Sequence, residues 1–118
     1  MKILPPNKIY LSKSEIHGWG VFANKEIKKD EVIEESPIYF PNITDKDECM
    51  KNYRFYWPKG TYDSVVLSWG WGNLYNHSYT PNAEWISNIQ NQTFEFVAIK
   101  DIQVGEEILV NYGESYWS

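Results

Sequence analysis

The 118-residue chain predicts a mainly β fold made of several small sheets with little helix. Three observations carry that expectation. Short runs rich in β-branched and aromatic residues are separated by clusters of Gly, Pro, Asn and Asp. No stretch sustains the 3.6-residue apolar period of an amphipathic helix. Aromatic side chains make up 17% of the residues, with six Trp and nine Tyr, and such rings suit pleated, half-buried surfaces.

The elements follow in chain order. Lys8 to Leu11 reads as the first strand, and a polar turn containing Gly18-Trp19-Gly20 leads to a second at Val21-Phe22-Ala23. Glu31 to Tyr39 reads as a strand pair or one bent strand, broken at Pro37 because proline lacks a ladder donor. Residues 41–52 are polar and acidic and read as a loop with at most one helical turn. Tyr53 to Trp57 is an aromatic run ended by Pro58, and Tyr62 to Trp69 is strand-like around Val65-Val66-Leu67. Ala83 to Ser87 and Thr93 to Ile99 flank the polar stretch Asn88 to Gln92 and form a hairpin. Ile108 to Tyr112 is the last strand. An internal echo links Ala23–Ile33 to Ala98–Ile108: both read Ala-x-Lys-acid-Ile-x-x-(Asp or Gly)-Glu-x-Ile. A strand, a tight turn at Asp30 or Gly105, and a second strand account for both copies.

Composition narrows the function classes. Apolar residues at 42% are enough for one packed domain. A net charge of −5 argues against tracking a phosphate backbone and for a cationic partner, though it equally serves solubility. Cys49 is the single cysteine, so neither a disulfide framework nor a cysteine zinc site is expected, and His17 and His77 alone make no metal centre. The start of the chain, with Ile3-Leu4 followed by Pro5-Pro6, reads as neither signal peptide nor membrane anchor. A soluble intracellular protein, not secreted, is the expectation.

Three segments could carry chemistry. The first, Ser14 to Ala23, holds His17-Gly18-Trp19-Gly20, whose glycines let backbone pass close to a ligand; alone, a Gly-x-Gly is more often just a turn. Leu74 to Asn82 holds Asn76-His77, which could equally be a capped turn. Gly105 to Gly113 ends in Tyr112 and is followed by Tyr116-Trp117, an apolar plug or the wall of a site.

Taken together and in this order, the His-Gly-Trp-Gly, Asn-His-Ser and Gly-Glu-Glu-Ile…Tyr-Gly segments resemble the SET-domain protein lysine methyltransferases. The resemblance covers residues 8–117 and comes nearest to the minimal, virus-encoded SET proteins. It implies one SET domain of β-clip type over residues 1–118, with a C-terminal pseudoknot, a variable insert at 41–68 and no zinc-binding module after the last strand. It implies S-adenosyl-L-methionine as cofactor, held by His17, Gly18, Trp19, Gly20, Asn76, His77 and Tyr112, with Trp117 over the adenine. Tyr112 corresponds to the family's catalytic tyrosine. Trp19, Tyr75, Val110 and Tyr116 would bind the substrate lysine, and the missing hydroxyl at Val110 implies di- or trimethylation. The implied partner is a lysine-containing basic protein or peptide such as a histone tail, with no direct contact to nucleic acid or membrane. A homodimer and residence in the cytoplasm or a host nucleus are further expectations. Two other classes compete: a catalytically idle SET-like module for peptide binding or assembly, and a Trp-rich carbohydrate-binding domain.

Overall fold

A computed structural model describes residues 2–42 and 53–113. Among these residues there are nine strands and no helix. Strands β1 (Ile9–Lys13) and β2 (Trp19–Ala23) form an antiparallel pair in which Lys13 faces Trp19. Strands β3 (Val32–Tyr39), β4 (Arg54–Trp57), β5 (Ser64–Ser68), β7 (Ala83–Asn88) and β8 (Thr93–Ala98) form a sheet in the order β4-β5-β3-β8-β7. The short strands β6 (Asn76–His77) and β9 (Leu109–Val110) pair in parallel.

The expected β7–β8 hairpin is present, with Asn88 opposite Thr93 and Gln92 taking a φ of 55° at the turn. Phe94, Phe96 and Ala98 point into the core, as alternation requires. Residues 54–68, expected within a variable insert, supply two strands of the main sheet. The possible helical turn within 41–52 falls almost wholly outside the described residues.

Strand β3 differs from expectation. It runs unbroken through Pro37, which lies opposite Thr93. The chain tolerates proline there because β3 changes neighbours at that point: it pairs with β8 over Val32–Pro37 and with β5 over Ile38–Tyr39. The real irregularity is a bulge between Val32 and Glu34. It puts Glu34 opposite Phe96 and Ser36 opposite Phe94, so a carboxylate and a hydroxyl face the core.

The two echo copies bond to each other in matched pairs. Asp30 N–H donates to the Ala98 carbonyl (2.8 Å) and Gly105 N–H to that of Ala23 (2.9 Å). Ala98 N–H donates to Glu31 O (3.0 Å) and Ala23 N–H to Glu106 O (2.9 Å). Ile27 and Ile102 exchange two backbone bonds and are both fully buried. Each turn is closed alike: the Glu31 carboxylate accepts from Lys28 N–H and the Glu106 carboxylate from Gln103 N–H. The turn residues Asp30 and Gly105 both adopt positive φ, 74° and 87°. A local two-fold relation therefore organises the middle of the fold.

That relation delivers the last segment to its place. Ile108 N–H donates to Val21 O on one side, while Ser78 N–H and Asn82 N–H donate to Val110 O and Leu109 O on the other. The segment 106–110 is thus held between β2 and residues 76–82. Asn82, buried, locks it further through Nδ2 to Glu107 O (2.8 Å) and Oδ1 from Leu109 N–H (2.8 Å).

Candidate active site

The turn between β1 and β2 is built around Ser14. Its hydroxyl accepts from Ile16 N–H (2.9 Å), its N–H donates to Gly18 O (2.8 Å), and Gly18 closes the turn at a φ of 49°. A side chain on Gly18 would point into space with no atom within 4 Å. Gly20 is different: a Cβ there would overlap the Glu107 carboxylate. Trp19 is 53% exposed, with the Lys13 ammonium 4.3 Å from its ring centre.

Asn76 ties this turn to β6 and β9. Its Nδ2 donates to His17 O (3.0 Å), to Trp19 O (3.3 Å) and to Glu107 Oε2 (2.8 Å). Nδ2 spends its donors on the protein, because the amide is buried and needs partners. Ser14 Oγ also donates to Glu107, 2.8 Å from Oε1 and 3.0 Å from Oε2. Glu107, absent from the sequence-based site, is the hub of this network. The echo carries a signal for it: Glu106 matches Glu31, whereas Glu107 occupies the place of Val32.

The path continues to Tyr112. His77 Nδ1 accepts from Tyr112 N–H (3.0 Å), and the two rings lie 5.2 Å apart. Burial holds the His77 imidazole below the ordinary histidine range, which keeps Nδ1 unprotonated and able to accept. The Tyr112 hydroxyl donates to the Tyr75 carbonyl. One phenol and one backbone N–H are thus both fixed.

The remaining predicted residues divide. The Tyr75 ring is 1% exposed, stacks on Phe96 at 4.3 Å, and donates its hydroxyl to Glu34 Oε1 (2.7 Å), so it belongs to the core. Burial and the adjacent Glu34 carboxylate push its phenol well above the usual tyrosine range. Val110 is 2% exposed and packs in the same core, opposite His77. The His17 side chain is exposed while its carbonyl serves Asn76. Tyr116 and Trp117 lie outside the described residues.

The fold and this site define a small β protein with a fixed tyrosine at the end of a strand held between earlier segments. Comparison with known proteins identifies the class. The SET-domain family model matches residues 18–113, and the chain belongs to that family. It is similar to the fission yeast (Schizosaccharomyces pombe) histone-lysine N-methyltransferase specific for H3 lysine 37, at 27% identity over 88% of this chain and 72% of that protein. It also resembles the mouse histone-lysine N-methyltransferase NSD3, at 31% identity over 85% of this chain but 8% of NSD3. A crystal structure of a Plasmodium falciparum protein provisionally named a histone methyltransferase superposes with a TM-score of 0.74 at 35% identity, over 95% of this chain and 98% of that one. The chain is accordingly a protein-lysine methyltransferase, and the carbohydrate-binding reading is set aside.

Proposed function

We propose that the chain transfers methyl groups from S-adenosyl-L-methionine to a lysine of a basic protein, with histone tails the first substrates to try. The observation that carries this reading is the double tether of Tyr112, through its N–H to neutral His77 and its hydroxyl to the Tyr75 carbonyl. The cofactor fits the residues present: Gly18 leaves open space at the turn, and a carboxylate that suits a cationic ligand lies under Gly20. Backbone of His17, Gly18, Trp19 and Gly20, together with Asn76, His77 and Tyr112, would hold it, with Trp117 over the adenine. When bound, it supplies an electrophilic methyl on a sulfonium.

The chain's own residues prepare the amine. A free lysine titrates near about 10.4, so a channel that excludes water and stands beside positive charge must favour the neutral amine. The half-buried Tyr112 phenol oxygen accepts from an amine N–H and aims the nitrogen lone pair. The exposed Trp19 face attracts ammonium, as its contact with Lys13 illustrates. Val110, buried and without a hydroxyl in the strand that leads to Tyr112, supports di- or trimethylation. A homodimer is supported by the exposed aromatic pair Tyr39 and Trp69, whose rings lie 5.4 Å apart.

Transfer of labelled methyl to histone tail peptides tests the activity, with mass spectrometry of the product counting methyl groups. Incorporation should vanish when the peptide lysines are replaced by arginine. A protein that binds cofactor yet labels no basic substrate would be the idle module instead.

A further inference from the structure

We propose, resting on S-adenosylmethionine as the cofactor, that Glu107 is a specificity-determining residue: its negative charge makes the turn prefer the methyl-bearing sulfonium to the spent thioether. Both donors to its carboxylate, the Ser14 hydroxyl and the Asn76 amide, are neutral. They orient the carboxylate without cancelling its charge. No lysine or arginine among the described residues pairs with it, whereas Glu31 in the other copy of the echo is paired with Lys8 at 2.8 Å. Glu107 is half-buried, so salt and water screen it less than a surface acid.

Its position aims that charge at the turn. The carboxylate lies against the Gly20 Cα, where a Cβ would overlap it, and the Asn76 it anchors holds the carbonyls of His17 and Trp19. A ligand seated beside Gly18 therefore lies near a carboxylate that no lysine or arginine among the described residues pairs. When the lysine nitrogen lone pair takes the methyl, the S–C bonding pair stays on sulfur and the positive charge passes to nitrogen. S-adenosylhomocysteine keeps its α-ammonium but has lost the sulfonium charge, so Glu107 attracts it less and its release is favoured.

Titration calorimetry with S-adenosylmethionine and S-adenosylhomocysteine on the wild type and Glu107→Gln tests this. Glutamine, with its oxygen at the Oε2 position that both Ser14 and Asn76 reach, keeps an acceptor for them, replaces the other oxygen with an amide nitrogen and removes the charge. It should weaken the sulfonium ligand roughly tenfold and the thioether less than about twofold. Equal weakening of both ligands by the substitution would overturn the role of Glu107 alone. A wild type that binds neither ligand would overturn the cofactor assignment with it.

Discussion

The two Gly-Trp-Gly stretches each lie against a carboxylate, and their surroundings differ. At Gly70-Trp71-Gly72 the carboxylate is Glu34, 5% exposed and enclosed by Trp71 N–H (2.8 Å) and the Tyr75 hydroxyl (2.7 Å). At Gly18-Trp19-Gly20 it is Glu107, half-buried, with open space beside Gly18 and an exposed Trp19 beyond. In both, a glycine makes room for an acid that a Cβ would crowd. One acid faces the core and fixes the fold, while the other faces a turn open to solvent. The tripeptide alone thus marks a packed carboxylate, and its surroundings decide whether a ligand can reach it.

The largest effect should come from the end of the open side. Tyr112→Phe should lower methyl transfer about a hundredfold, measured as initial rate, with cofactor affinity nearly unchanged. Unaltered turnover would remove Tyr112 from the chemistry. Next come the two glycines crowded by a carboxylate. Gly70→Ala meets Glu34 Oε2 at 2.7 Å and starts from a φ of 69°, so it should cost about 2 kcal/mol in denaturant unfolding and leave cofactor affinity intact. Gly20→Ala displaces Glu107 and should cost affinity by calorimetry more than it costs stability. The reverse pattern would mean that the roles of the tripeptides are exchanged. Gly18→Ala should cost about 1 kcal/mol, from its φ of 49° alone, and weaken the cofactor by filling its space.

The smallest effect concerns His77. Its folded pKa lies below the unfolded one, so the unfolded chain takes the proton first as pH falls. Stability from the neutral imidazole is complete above about pH 6.5 and is lost below it. Between about pH 6.5 and 5.5 the melting temperature should drop by about 2 °C, and His77→Gln should flatten that slope. An equal slope in both proteins would mean that burial does not hold His77 neutral in the fold.

What the sequence revealed depended on range. The β7–β8 hairpin, the centre of β5 and the turns at Asp30 and Gly105 rest on neighbouring residues and were legible. The burial of Glu34 was not, because a one-residue bulge turns it inward and periodicity assumes none. Pro37 misled because the change of neighbour that accommodates it is set by strands distant in sequence. Tyr112 was found through resemblance, but its tethers through His77 and the Tyr75 carbonyl, and the hub at Glu107, are contacts between remote segments. Tyr75 looked like a channel ring because an aromatic beside Asn76-His77 reads the same whether it faces a ligand or the core.

The mutual bonding of the two echo copies also makes the site depend on both ends of the chain. Ser14 and Glu107 are 93 positions apart, and the segment carrying Glu107 and Tyr112 docks on residues from β2 and from 76–82. Contacts so distant in sequence close late and slow the search for the native state. On a ribosome the turn around Gly18 emerges early and stays incomplete until the second copy of the echo follows it out. A chain that stops before residue 105 lacks both Glu107 and Tyr112 and carries only half of the site.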